Sequence, residues 1–275
     1  MSQQESTVYR LFMPETIKAP ILISVPHCGT LLTETFTKNA ASDYILSTPD
    51  TDWFVHELYD FANEIGLPLI HANYSRYIID LNRQMPGESS LYNDLSRVTE
   101  LTPLRSFSGE PIYKPGCEPD DAEMQLRIQN YYQPYYDKVS DILDQLKAQF
   151  SVAMLYDGHS IKGHVTSIQQ QPFVDYMPAN RSGLTCPNSF IKTAENVITN
   201  HGYSVASNGI FQGGNITRSF AAPDNDIYSF QMEISQRIYM NEETNQKETE
   251  RWTLTQQVLR TILSQFSDML VNKTY

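Results

Sequence analysis

"PILISVP" (residues 20–26) is short, apolar and β-branched, with a proline at each end, which is how a fully buried strand reads. "DTDWFVHELYDFANEIG" (50–66) comes next, and it places Phe54, Leu58, Phe61 and Ile65 on one face of a helix that Gly66 would stop. "LPLIHANYS" (67–75) reads as the following strand. Strand, helix, strand is the unit from which parallel sheets are built. The remaining elements repeat the alternation. "RYIIDLNR" (76–83) reads as an extended segment, and residues 84–120, rich in proline and glycine, as a long loop or lid. Residues 121–149 predict a long helix with a kink at Pro134, because proline removes a hydrogen bond from the helix interior. "SVAMLYDGHS" (151–160) predicts a strand, "PNSFIKTAENVITNHG" (187–202) a helix ending at Gly202, and "YSVASN" (203–208) a short strand. "IYSFQMEISQRIYM" (227–240) predicts another strand and "ETERWTLTQQVLRTILSQF" (248–266) a closing helix. The expected fold is α/β: one domain over residues 1–275, with a mixed, mostly parallel sheet flanked by helices.

Composition narrows the function. Of 275 residues, 40% are hydrophobic and 19% charged, as in soluble globular chains. The net charge of −12 argues against nucleic acid or an anionic membrane as partner, since either would be repelled. An anionic small molecule stays open, because local arginines override a global field. No apolar run approaches a membrane span, and the N-terminus lacks the basic and apolar regions of a secretory signal. The three cysteines, Cys28, Cys117 and Cys186, have no CxxC spacing, which points to a reducing cytoplasm. Oligomeric state is left open.

Two strands end on a histidine: "ISVPHCGT" on His27 and "YDGHSIKG" on His159. In open α/β sheets ligands bind outside the carboxyl ends of the strands, so both histidines and the segment "SRYIIDLNR" (75–83) are expected along one edge. A catalytic zinc takes three protein ligands, usually histidine with carboxylate. Asp50 and Asp52 are both near enough in sequence to supply the carboxylate, and either could instead cap the helix that follows. Glu233, between Phe230, Met232 and Ile234, is a carboxylate in an apolar strand, where desolvation would raise its pKa and suit it to proton transfer. Arg76, Asn82 and Arg83 suit a carboxylate ligand, because a guanidinium fork makes paired hydrogen bonds and an amide fixes orientation. Asp80 could orient one of those arginines. In "GGNITRSF" (213–220), Gly213 and Gly214 permit close backbone approach and Arg218 adds a cation.

The blocks "SVPHCGT", "DTDWFVHELYDFA", "SRYIIDLNR", "SGEPIY", "DGHSI", "FQGGNITR" and "FQMEISQRIYM", in that order from about residue 20 to 240, resemble the N-formylglutamate amidohydrolases. "DLNR" and the glutamate of "MEIS" are also similar to substrate-binding and general-base positions of the zinc carboxypeptidase and aspartoacylase group. The resemblance implies a zinc-carboxypeptidase-like fold and a zinc enzyme that cleaves N-formyl-L-glutamate to formate and glutamate in histidine degradation. It implies His27, Asp52 and His159 as zinc ligands, Glu233 as the general base, and Arg76, Asn82 and Arg83 as substrate contacts. Two departures stand out. The carboxypeptidase group has its carboxylate ligand three residues after the first histidine, where this chain has Thr30, and "MPANRSGLTCP" (177–187) lacks a regular glycine–threonine pattern. The competing readings are a zinc deacylase of another N-acyl amino acid, a cysteine amidase using Cys28, and a non-catalytic binding protein on the same fold.

Overall fold

A computed structural model describes the backbone of residues 2–5 and all of residues 8–85 and 100–275. The part of the expected 84–120 lid that covers 86–99 lies outside the described residues. In chain order the strands are β1 (Ser2–Glu5), β2 (Tyr9–Met13), β3 (Ile21–Val25), β4 (Leu69–Ala72), β5 (Ala153–Ile161), β6 (Tyr176–Ala179) and β7 (Ile227–Ser235), with a small hairpin β8 (Met240–Asn241) and β9 (Gln246–Lys247). The helices are α1 (Glu34–Asn39), α2 (Asp43–Leu46), α3 (Val55–Leu58), α4 (Asp121–Arg127), α5 (Gln133–Phe150), α6 (Asn188–Asn200), α7 (Asn215–Ser219) and α8 (Thr249–Asn272). No helix among the described residues is long and apolar enough to cross a membrane.

One seven-stranded sheet has the order β1-β2-β4-β3-β5-β7-β6. Its four central strands, β4, β3, β5 and β7, run parallel, and the outer strands pair antiparallel. Strands covered on both faces must be apolar on both. β3 obeys this: Ile21, Ile23 and Val25 join a core with Phe190 of α6 and Phe266 of α8, while Leu22 packs with Val139 and Leu143 of α5 on the other face. The sheet changes direction between β3 and β5. The chain leaves β3 toward β4 on one side and leaves β5 toward β7 on the other. A crevice opens where connections diverge in this way, and His27 and His159 sit at the carboxyl ends of the two strands that frame it.

Four expectations about elements are corrected. The 50–66 helix is broken into α3 and a 3₁₀ turn at Asp60–Asn63, and Phe54 is left-handed with φ 63°. Upstream, the Asp52 amide donates to the His27 carbonyl at 3.1 Å and the Thr51 amide to the Thr48 carbonyl at 3.1 Å, which fixes the loop that leads into Phe54. The left-handed backbone of Phe54 keeps the helix from starting before Val55. Gly66 does end the segment, with φ 75°. The segment "RYIIDLNR" is not extended. It is a run of turns, with Ile78 N donating to Ser75 O and Arg83 N to Asp80 O. "YSVASN" supplies no strand, only a single bridge from Val205 to Tyr176, and the sheet edge is taken by β6. In the long helix, the backbone stays helical from α4 through a π-helical turn (Ile128–Tyr132) into α5, and that wider turn just before Pro134 accommodates its missing N–H.

Candidate metal centre and active site

β3 ends at Val25, and two residues later His27 turns inward. Its Nε2 lies 2.7 Å from Asp80 Oδ1, and its Nδ1 is buried without a hydrogen-bond partner, 3.8 Å from Asp52 Oδ2. On β5, Asp157 and His159 are two residues apart and therefore share a face. His159 Nε2 lies 3.0 Å from Asp157 Oδ2, and its Nδ1 lies 3.3 Å from Asp52 Oδ2. The two imidazoles thus follow one plan. Each turns Nε2 onto a buried carboxylate and Nδ1 toward Asp52. A carboxylate behind each ring nitrogen is the arrangement that orients histidine ligands around a metal. His27, Asp52 and His159 offer ligand atoms within 4.8 Å of one another, all buried.

Asp52 is held from three sides. Arg76 donates to Oδ1 at 2.9 Å, the Ser160 amide donates to Oδ2 at 3.1 Å, and its own backbone is tied to His27. It does not cap α3, whose capping position is Phe54. Asp50 is engaged elsewhere, since its Oδ2 accepts from Tyr77 Oη at 2.7 Å and the Phe107 amide at 2.8 Å. Of the two aspartates left open by the sequence, only Asp52 is in the cluster.

The electrostatics fit the geometry. Burial holds His27 neutral, lowering its pKa, with Arg76 adding to the effect and Asp80 opposing it. His159 differs, because Asp157, Asp52 and Glu233 outweigh burial and raise it well above the ordinary value. Burial opposes the charge on Asp52, yet Arg76 and the two histidines keep its carboxyl low. Asp80 is lowered further, against burial, by Arg83, His27 and Arg76. Glu233 pairs in register with His159 on the neighbouring strand. Burial pushes its carboxyl up to about 8, the charges of Asp52 and Asp157 adding and those of His159 and Arg76 subtracting.

The expected substrate contacts divide. Arg76 is almost wholly buried, paired with Asp52, 3.9 Å from Asp80 and stacked over the Phe107 ring at 5.1 Å. Arg83 is partly exposed, 3.9 Å from Asp80. Asn82 is occupied internally, with Oδ1 accepting from the Ile216 amide at 2.8 Å and Nδ2 lying 3.4 Å from His159 Nε2. Gly214 makes that contact possible, since a Cβ there would stand 2.2 Å from Asn82 Nδ2. Gly213 is left-handed with φ 101°, and Arg218, half-buried on α7, donates from Nε to its carbonyl at 3.0 Å. Asp80, expected to orient an arginine, chiefly holds His27. Asp157 was missed, although a carboxylate two residues before a strand-end histidine was a readable signal. Cys28 lies beside His27 in sequence, but it is buried, its thiol is pushed up by burial, and its Sγ points to the Val25 and Ala72 carbonyls. Neither partner is a base.

Fold and site together define an α/β protein with a buried His–Asp–His cluster, able to hold a metal, at the carboxyl edge of its parallel strands. The profile of the N-formylglutamate amidohydrolase family matches residues 19–240. The N-formylglutamate deformylase of Pseudomonas putida is 35% identical over 226 residues, covering 82% of this chain and 83% of its own length. That of Pseudomonas aeruginosa is 36% identical over 227 residues, covering 82% and 84%. The crystal structure of N-formylglutamate amidohydrolase from Ralstonia eutropha JMP134 has the same fold, with a TM-score of 0.84 at 23% identity over 98% of this chain and 100% of that one. The chain belongs to the N-formylglutamate amidohydrolase family.

Proposed function

We propose that this chain is a zinc-dependent amidohydrolase that cleaves N-formyl-L-glutamate to formate and L-glutamate. The reading rests first on one observation: two buried imidazoles, each backed by a carboxylate on Nε2, turn Nδ1 toward Asp52, and the buried Nδ1 of His27 has no hydrogen-bond partner. The activity named for the two Pseudomonas relatives agrees with it. His27, Asp52 and His159 would hold the metal, and two imidazoles with one carboxylate are the donor types of catalytic zinc. When bound, zinc supplies Lewis acidity that polarises a carbonyl and acidifies water.

The chain's own groups do the rest. Glu233 would take a proton from the attacking water and return it to the leaving amine nitrogen. Its raised pKa suits that exchange, because a base near the working pH both accepts and releases readily. Arg83, partly exposed at the edge of the cluster, would grip a substrate carboxylate. Arg76 would hold Asp52 in place and turn its remaining positive field toward the oxyanion. Asn82, Gly213 and Gly214, expected as substrate contacts, would act by locking α7 against His159, with Arg218 bracing the Gly213 carbonyl. We read residues 1–275 as one domain, because a single sheet gathers strands from both ends of the chain and α8 packs on it. We place the protein in the cytoplasm, in keeping with three free thiols.

The test is hydrolysis of N-formyl-glutamate, N-acetyl-glutamate and N-acetyl-aspartate side by side, with and without chelator. Formyl-selective turnover, lost on chelation and restored by zinc, is expected. Turnover that survives complete metal removal, or preference for an acetyl substrate, would overturn the reading.

A further inference from the structure

A cleft of about 220 Å³ adjoins the cluster beyond the end of β5. Asp50, Thr51, Phe107, Ser160, Lys162 and Gln236 line it, and the exposed His164 stands at its rim. None of the proposed ligands lines it, but its walls lead to the centre by two routes. Thr51 and Ser160 are the chain neighbours of Asp52 and His159, and the Phe107 ring that forms one wall carries Arg76 on its face at 5.1 Å. The volume lies below the roughly 300–1,000 Å³ of sites for drug-sized ligands and suits part of a small metabolite.

Charge singles out Lys162. The arginines of the centre are largely compensated: Arg76 by Asp52 and Asp80, and Arg83 by Asp80. Asp157 and Glu233 add negative charge. A substrate with two carboxylates needs a cation beyond these. Among the described residues, Lys162 has no ion-pair or hydrogen-bond partner, although it is half-buried in the cleft wall. Asp50, the nearby carboxylate, accepts from Tyr77 and the Phe107 amide through Oδ2 and meets Lys162 only as a charge beyond ion-pair distance. Gln236 donates from Nε2 to Thr51 O and Ser160 Oγ, which ties this wall of the cleft to the loop before Asp52. Lys162 stands three residues after His159, and three residues of strand span about 10 Å. A five-carbon diacid reaching out from the cluster and a lysine side chain reaching back would close that gap between them.

We propose that this cleft receives the side-chain carboxylate of the N-formyl acidic amino acid and that Lys162 selects it by charge. The inference rests on the proposed amidohydrolase reading and assigns its specificity. Lys162 is not one of the proposed metal ligands, nor the base, so its replacement should leave the chemical step intact.

The test uses the zinc-loaded full chain and a pair of substrates equal in shape, N-formyl-glutamate and N-formyl-glutamine. A charge-assisted hydrogen bond selects by about 10–100-fold. Lys162→Met should raise KM for N-formyl-glutamate by about that factor with kcat little changed, and should leave N-formyl-glutamine unaffected. Lys162→Glu should widen the loss and shift preference toward N-formyl-lysine. Undiminished preference for glutamate over glutamine in both variants would overturn the proposal while leaving the enzyme reading standing. Calorimetric titration with N-formyl-glutamate separates the two ideas. If wild type does not hydrolyse this ligand yet binds it in a Lys162-dependent way, the cleft assignment holds and the reaction is wrong. If it neither binds nor hydrolyses it, both fall.

Discussion

At the scale of single residues, Glu233 and His159 lie side by side on neighbouring strands, and burial acts differently on each. Burial raises the glutamate's pKa by penalising its anion, and the adjoining Asp157 and Asp52 carboxylates raise that of the histidine against burial. Glu233→Gln is expected to retain stoichiometric zinc and lose about 10²–10⁴ in kcat, the usual cost of removing a placed general base. Near-normal turnover in that variant would remove Glu233 from the mechanism. The same variant tests the raised pKa in metal-free protein. A carboxyl raised to about 8 in the fold, above its value when unfolded, stabilises the protein least once it must ionise. Wild-type stability should therefore fall as pH rises from the ordinary carboxyl range through about 8, and Glu233→Gln should remove that part of the fall. Melting curves across pH 4–9 measure it, and parallel curves for the two proteins would contradict it. His159 gives a second prediction. Its raised pKa favours a protonated ring in the metal-free cluster, and a metal ion must displace that proton. Zinc binding near neutral pH should release a proton and weaken as pH falls, measured by calorimetry in buffers of different ionisation enthalpy. Binding without proton release would show that His159 is not a ligand.

At the scale of elements, α7 is a five-residue helix that buries Ile216 in the core and fixes much of the site. Its start is tied to β7 through Gly214 N and Gln231 Oε1 at 2.7 Å, and to Asn82 through the Ile216 amide. Thr217 Oγ1 reaches Asp157 Oδ2 at 3.2 Å, so α7 also touches the carboxylate behind His159. Gly214→Ala forces a methyl into the Asn82 amide, an overpacking that typically costs about 1–3 kcal/mol. The expected result is a lower Tm together with weaker zinc retention. Gly209→Ala is the control, because its nearest neighbour is 4.0 Å away and it should be neutral. Equal effects at the two positions would mean that α7 is not coupled to the metal cluster.

At the scale of the whole molecule, the cluster joins segments that are distant in the chain. His27 follows β3, Asp52 precedes α3, Asp80 lies in the turns after β4, and Asp157 and His159 are on β5. Before a metal binds, they bring three buried carboxylates and Arg76 into close quarters, an arrangement that loses stability when a partner is missing. A ligand that binds only the folded state raises stability by mass action, about 2.7 kcal/mol at one hundred times its dissociation constant. Removing zinc with a chelator should lower Tm by several degrees, and titrating it back should restore Tm in proportion to occupancy. His27→Ala should abolish that dependence. A Tm indifferent to zinc would place the metal outside the folded core.

The sequence by itself determined the α/β alternation, the buried strands around "PILISVP" and "SVAMLYDGHS", and the two strand-end histidines, His27 and His159. Those features are local: apolar runs and strand ends are written in consecutive residues, and a histidine at a strand's carboxyl end has only one edge to face. The tertiary structure decided which aspartate joined. Asp50 and Asp52 are equivalent by spacing, and only the positions of Tyr77 and Phe107 draw Asp50 away. It decided the duty of Asp80, whose nearest partner is 53 residues earlier in the chain. It broke the 50–66 helix, whose periodicity was sound: the left-handed Phe54 delays the start to Val55, and Asp60–Asn63 tighten into a 3₁₀ turn. Local pattern specifies what an element prefers. Hydrogen bonds between distant segments decide which preference is overruled, and no window of sequence contains both partners.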